Sequence, residues 1–296
     1  MEPPLRNTSA GCGTSRPSGK AFGAPRDFLG NRFVYAVVSP RARGLSIGVN
    51  LNPNQDCNFD CIYCEVDRRN QCRSAKLDLD VMGDELAHAL SLVRTGTLAA
   101  QPRFHDLPDD LLQLRQVNLS GDGEPTLCPD FLDAVHVVLH VRARSGLPFF
   151  KIVLITNATG LDQPKVAEGI RYLTSRDEVW AKLDAGTQSW MERINRPTVP
   201  LDRVLANILT LARQRPVVIQ SLFPMVNGHE PLDQDIGEYA ERLKELKAAG
   251  ANIPLVQIYS ATRPTPNSEC GHLPLSSLAR IAQVVRDTAG LRAEVF

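Results

Sequence analysis

The sequence is sparing with cysteine, tryptophan and net charge, and it has no long apolar run. Its 296 residues hold seven Cys and two Trp, and 33 basic residues (Lys and Arg) balance 33 acidic ones. A small, odd cysteine count excludes the disulfide framework that holds many secreted domains. A formal net charge of zero excludes a whole-chain electrostatic pull toward nucleic acid or a membrane surface. No stretch approaches the roughly 18 apolar residues of a membrane span, and the N-terminus lacks the apolar core of a secretory signal. These absences point to the reducing cytoplasm. What remains is globular composition, 43% hydrophobic and 22% charged, with length for one large domain or two ordinary ones.

The first 25 residues contain 13 Gly, Pro, Ser or Thr and no apolar periodicity, so residues 1–29 are expected to form a disordered leader. Through residue 44, seven Arg or Lys stand against Glu2 and Asp27. Such a basic arm suits either a solvated tail or a contact with RNA. The core domain is expected over residues 30–296, with a helical extension at its C-terminal end.

From residue 45 the pattern becomes regular. Apolar, β-branched segments recur at 45–51, 116–120, 151–156, 178–184, 216–223 and 253–260. Helical spacing appears between and after them. Ile236, Tyr239, Ala240, Leu243 and Leu246 share one face, as do Leu278, Ile281, Val284 and Val285. Residues 82–93 and 131–142 are similarly amphipathic. Strands alternating with helices require parallel pairing with crossovers, and nearly continuous apolar strands are expected where both faces are covered. The fold class is α/β, either a complete or partial barrel or an open doubly wound sheet. In all of these, sites gather beyond the C-terminal ends of the strands, and polar, glycine-rich stretches follow the strands there.

Three of the seven cysteines stand within eight residues. Cys57, Cys61 and Cys64 form C-x3-C-x2-C, in CNFDCIYC, while Cys12, Cys72, Cys128 and Cys270 are scattered. Structural zinc closes with four ligands, often two cysteine pairs, and no second pair follows. Inert buried cysteines usually occur singly. An iron–sulfur cluster takes thiolates at such spacings. With three thiolates rather than four, one iron keeps an open position for a substrate or cofactor.

C-x3-C-x2-C with an aromatic, here Tyr63, just before the last cysteine resembles the hallmark of the radical S-adenosylmethionine (radical SAM) superfamily. Gly121, Asp122, Gly123 and Glu124 follow the second strand, where that superfamily has a Gly-Gly-Glu motif. Asp122 replaces the second glycine. RGLSIGVNLNPNQDCNFDCIYC, SGDGEPTL, ITNAT, VWAKLDAGT, INRP and VQIYSATRP together are similar to the branch that contains the tRNA wyosine-base synthases and their relatives, over about residues 43–265. The resemblance implies a partial (β/α)6 barrel of the TIM-like, radical SAM type. It also implies a [4Fe–4S] cluster on Cys57, Cys61 and Cys64, and S-adenosylmethionine as cofactor. The implied activity is reductive cleavage of S-adenosylmethionine to a 5'-deoxyadenosyl radical, which attacks an unidentified substrate. An external electron donor of flavodoxin or ferredoxin type is implied as partner. The wyosine synthases add a second cluster on further cysteines and turn a lysine toward pyruvate. Here the remaining cysteines form no compact ligand set, a departure from the pattern of the wyosine synthases. Alternatives of other kinds are a tRNA-modifying enzyme of wyosine-synthase type and an iron–sulfur electron-transfer protein.

The resemblance places Tyr63 near the adenine and the Gly121–Glu124 loop at the methionine ammonium. Small residues let backbone approach a ligand there, and a carboxylate receives the ammonium. Thr156 and Asn157 end the third apolar segment, either as cofactor contacts or as ordinary strand-end polar groups. Lys182 and Asp184 share parity in the fourth. They serve either cofactor carboxylate and ribose or each other as an ion pair. Gln220 and Tyr259 either face the cavity from later strands or lie in the core, and the core is expected. Arg68, Arg69, Arg73 and Lys76 form a basic cluster, a solvated face or a phosphate-contacting surface, and Cys72 sits within it.

Overall fold

The computed structural model describes residues 28–68, 74–263 and 265–296. The leader through residue 27, with Cys12, and Arg69, Cys72 and Arg73 of the basic cluster lie outside the described residues.

The chain runs β1 (Val34–Ser39), β2 (Gly44–Asn50), α1 (Leu79–Arg94), α2 (Asp109–Leu112), β3 (Leu114–Ser120), α3 (Phe131–Arg144), β4 (Lys151–Thr156), α4 (Pro164–Arg171) and β5 (Glu178–Lys182). It continues through α5 (Gln188–Ile194), α6 (Leu201–Ala212), β6 (Val217–Leu222), β7 (Met225–Val226), α7 (Asp233–Ala248), β8 (Val256–Tyr259), β9 (Cys270–Gly271), α8 (Leu275–Ala289) and β10 (Ala293–Val295). Eight strands form one sheet in the order β1-β2-β3-β4-β5-β6-β8-β10, and β7 and β9 form a separate ribbon. Every neighbouring pair in the large sheet is parallel except β1 with β2. The six expected strands are β2, β3, β4, β5, β6 and β8, and they curl into a partial barrel. The two edge strands are additional. β1 returns antiparallel on β2, and β10 follows α8 to pair with β8.

Sequence parity explains the two faces of the sheet. Leu45, Ile47, Val49, Val117, Leu119, Ile152, Leu154, Val179, Ala181, Ile219 and Ile258 join the helices in one large core. That core includes Leu86, Leu90, Ala134, Val135, Val138, Ile208, Leu243 and Ile281. The opposite parity is mixed. Ser46, Gln116, Asn118, Gln220 and Gln257 are buried polar residues, and Val153, Trp180 and Val218 form a second, small apolar cluster separate from the main core. The strands are therefore covered on both faces, as the continuous apolar runs suggested. One cover consists of helices and the other of the barrel's own interior side chains.

One glycine makes the edge possible. A Cβ on Gly48 would lie 2.0 Å from Cζ of Tyr35, its cross-strand partner on β1. Only a residue without a side chain lets Tyr35 lie across β2 and reach Ser120 Oγ at 2.9 Å. At the seam between the sheet edges, Arg43 of the β1–β2 turn pairs with Glu294 of β10 at 3.3 Å.

Candidate active site

The cysteines lie on the loop that leaves β2, and two other segments hold that loop in place. The Glu124 amide donates to Asp56 O at 2.8 Å, tying the loop to the β3 exit. From the α5 exit, Ile194 O and Asn195 O accept from Ile62 N and Asp60 N, each at 2.9 Å, and Thr198 N donates to Asn58 O at 3.0 Å. Phe59, Ile62 and Tyr63 are buried beneath the loop. Apolar anchors below and backbone bonds on two sides leave the three cysteines half-buried and free.

Each sulfur faces a nitrogen donor. Phe59 N lies 3.5 Å and Asn157 Nδ2 4.0 Å from Cys57 Sγ, Asn195 Nδ2 lies 3.4 Å from Cys61 Sγ, and Arg68 Nη2 lies 3.9 Å from Cys64 Sγ. Burial pushes the Cys61 thiol up to about 12, with Asp184 adding to the effect. Burial, then Glu124, raises Cys57. Burial alone would lower the Arg68 pKa, but facing Cys57 and Cys64 keeps it above its ordinary value. Among the described residues no three Cys, His, Asp or Glu side chains converge as ligands of a single ion would. A four-iron cluster asks for something different, thiolates spread over separate irons. Donors aimed at all three sulfurs suit bound thiolates, which accept charge-assisted hydrogen bonds. Nearby, Asn52 Oδ1, Gln55 Oε1 and Arg68 Nε are buried with no hydrogen-bond partner. The donor set and these orphaned atoms fit a polar, sulfur-bound group.

Of the expected site residues, Glu124 is the most fully engaged. Its Oε1 accepts from Thr126 N at 3.1 Å, Thr126 Oγ1 at 2.6 Å and Thr156 Oγ1 at 2.5 Å, and its Oε2 accepts from Asn157 N at 2.7 Å. Burial raises its pKa against the pull of those bonds. Its carboxylate joins the β3 exit to the β4 exit. Asp122 accepts from Asn50 Nδ2 at 2.7 Å, and its amide donates to Asn50 Oδ1 at 3.0 Å. Gly121 and Gly123 press on neighbouring backbone and side chains. A Cβ on Gly121 would lie 2.2 Å from Asn50 Oδ1, and one on Gly123 would lie 1.9 Å from Asp56 O. Gly123 therefore backs onto the cysteine loop itself. Asn157 Nδ2 donates to Asn58 Oδ1 at 2.8 Å, and its Oδ1 accepts from Thr159 N and Oγ1.

Beyond β5, Asp184 gathers a buried knot. Its Oδ1 accepts from Leu222 N at 2.7 Å and lies 3.6 Å from Lys182 Nζ. Its Oδ2 accepts from the Tyr63 hydroxyl and from Asn195 Nδ2 at 2.8 Å. Lys182 Nζ donates to the Tyr259 hydroxyl at 3.1 Å and lies 5.0 Å from the centre of the Tyr63 ring. Burial disfavours the Lys182 ammonium, but Asp184 and then Tyr259 outweigh it and hold its pKa above the ordinary value. Burial, reinforced by Asp184, keeps the Tyr63 hydroxyl protonated. Tyr259, expected in the core, instead joins this knot, whereas Gln220 is buried and donates to Gln257. Lys182 and Asp184 do pair with each other.

Two participants escape a reading by motif. Asn195 is buried, and its amide reaches Cys61, Tyr63 and Asp184 together. Its signal is INRP, which carries no chemistry on its face. Arg68 turns in toward the sulfurs, away from the solvated cluster expected for it, while Lys76 is exposed.

No protein-family profile matches the sequence. A UPF0026 protein of Helicobacter pylori strain J99 is 23% identical over 271 residues, covering 85% of this chain and 79% of its own length. Among solved structures, SuiB of Streptococcus suis bound to S-adenosylmethionine matches with a TM-score of 0.57 and 15% identity over 86% of this chain, which spans only 51% of SuiB. A radical SAM methyltransferase from Sphaerobacter thermophilus gives a TM-score of 0.63 and 16% identity, over 89% of this chain and 68% of that one. TYW1 with a lysine–pyruvate adduct gives 0.54 and 15%, over 84% and 74%. No helix among the described residues is long and apolar enough to cross a membrane. At these identities the likeness is one of fold, the partial barrel that this chain shares with these structures, among them a radical SAM methyltransferase.

Proposed function

We propose that this chain is a radical SAM enzyme. In this reading Cys57, Cys61 and Cys64 hold a [4Fe–4S] cluster, and S-adenosylmethionine binds at the strand exits beside it. The observation that carries the reading is the set of nitrogen donors aimed at three free cysteines, on a loop bonded to the Gly121–Glu124 segment. When bound, such a cluster supplies the single electron that cleaves the sulfonium to a 5'-deoxyadenosyl radical.

The chain's own groups divide the remaining work. Glu124 and Asp184, with donors from the protein on both oxygens, act by positioning: Glu124 fixes the β3 and β4 exits, and Asp184 fixes Tyr63 and Asn195. Asn52 Oδ1 and Gln55 Oε1 are buried acceptors without partners and suit the ammonium of the methionine moiety. Lys182, held as an ammonium, suits a carboxylate and is the wrong protonation state for attack on a carbonyl. An external one-electron donor of flavodoxin or ferredoxin type is required, and the substrate is unidentified.

Anaerobic reconstitution tests this reading. The expected result is about four irons and four sulfides per chain, and 5'-deoxyadenosine released from S-adenosylmethionine under dithionite. A reducible cluster with no cleavage would favour an electron carrier instead. Transfer of deuterium from a labelled, co-purifying RNA into 5'-deoxyadenosine would identify an RNA substrate.

A further inference from the structure

We propose that Arg68 donates hydrogen bonds to the cluster sulfurs and raises the cluster's reduction potential. This rests on the functional reading above, which uses the contact of Arg68 with Cys64 but gives the guanidinium no part in the chemistry.

The argument starts from poor satisfaction. Arg68 is half-buried and its Nε is buried with no partner. Its contact with Cys64 Sγ, at 3.9 Å, is long, and a neutral thiol is a weak acceptor. A guanidinium has five donors in a fixed fork, and burying it beside weak acceptors is unfavourable unless anionic partners arrive. Anionic sulfur supplies them. Thiolates and sulfides accept charge-assisted hydrogen bonds, and the fork faces Cys57 as well as Cys64. Lys76, from the same basic stretch, is exposed and provides a control for charge without contact.

The direction follows from electrostatics. Reduction adds one negative charge to the cluster, and a fixed cation with hydrogen bonds to sulfur favours the more negative state. Arg68 therefore eases electron acceptance from the partner.

The test is an anaerobic redox titration of reconstituted wild type, R68Q, R68K and K76Q, with iron content and circular dichroism measured alongside. R68Q is expected to retain its iron and to shift the one-electron equilibrium about tenfold toward the oxidised cluster, or about 59 mV more negative. R68K should fall between wild type and R68Q, and K76Q should match wild type. An R68Q potential equal to wild type at full iron would overturn the proposal, as would an equal shift in K76Q. If R68Q loses iron, R68K decides: a lowered potential supports the proposal and an unchanged one overturns it. Loss of iron from both variants with the fold intact would make Arg68 a loading residue and overturn the tuning role. Wild type that takes up no iron would instead defeat the functional reading itself.

Discussion

Two buried aspartates bracket β5, and they do different things. Asp177, just before the strand, takes a bidentate bond from Arg142 at 2.6 and 3.2 Å, the Ile152 amide at 2.8 Å, and the amide and hydroxyl of Thr174. Arg215 completes that end by donating to four main-chain oxygens, those of Ile170, Leu173, Thr174 and Asp177. These partners are backbone groups, the Thr174 hydroxyl and the last turn of α3, so Asp177 closes the base of the barrel. Asp184, just after the strand, gathers Tyr63 and Asn195 beside the cysteine loop, together with Lys182 and the Leu222 amide. The same residue type, equally buried, fastens the scaffold at one end and aligns site groups at the other. What differs is the chemistry of the partners, as expected where sites collect at the C-terminal ends of the strands.

The largest expected effect is at the site end. Alanine at Cys57, Cys61 or Cys64 should bring iron from about four per chain to near zero, while alanine at Cys128 or Cys270 leaves it unchanged; inductively coupled plasma analysis reads both. Retention of a full cluster after loss of any one of the first three would break the assignment.

Next is the base. Asp177→Ala leaves the partly buried Arg142 without its counter-ion, a loss that approaches the ~3–5 kcal/mol of breaking a fully buried pair. Urea unfolding should show that loss, with S-adenosylmethionine affinity in the surviving folded protein unchanged. The pH dependence has a defined sign. Burial alone would raise the Asp177 pKa, but the Arg142 bond and the other donors outweigh it and lower it in the folded state. Its contribution is then present above the unfolded value of about 4 and is lost as pH falls through the folded value. The Asp177→Ala variant should lack this part of the acid-induced loss of stability.

Gly123 sharpens the comparison by a smaller step. A side chain there would push on Asp56, next to Cys57. Gly123→Val should therefore lower iron loading and cofactor affinity together. Normal loading with weakened cofactor binding would show that Gly123 faces the cofactor alone.

Asp184→Asn keeps the shape and removes the charge. We expect cofactor affinity to fall about tenfold, the equivalent of 1.4 kcal/mol, with full iron content, measured by equilibrium dialysis of S-adenosylmethionine. An effect confined to stability would make Asp184 a second Asp177. The smallest effect is expected for Arg263→Ala, which removes an exposed pair with Glu65 and should change stability by about 0.2–1 kcal/mol.

The six inner strands were legible because each is an apolar, β-branched run long enough to stand out. β1 and β10 were not. β1 is as apolar as the others but returns antiparallel on β2, outside the alternation of strands and helices, and β10 is three residues whose pairing is decided by β8. At the site, the cysteines and the Gly121–Glu124 segment announce themselves by spacing. The direction of the Glu124 carboxylate does not, because its partners Thr156 and Asn157 arrive from another strand. Asn195 meets Cys61 from 134 positions away, a contact no local pattern encodes. Arg68 was legible as a cation but not as one turned inward.

The stitching of the cysteine loop to residues 194–198 also sets a schedule. The cysteines leave the ribosome more than a hundred residues before the α5 exit that holds them, and such distant pairings close slowly. Until Ile194, Asn195 and Thr198 have emerged, the loop lacks those backbone acceptors and donors. The donor from Asn195 to Cys61 is missing for the same interval. Assembly of the frame around the three cysteines is thereby a late event in the life of the chain, and truncated products ending before residue 194 would carry all three cysteines without it.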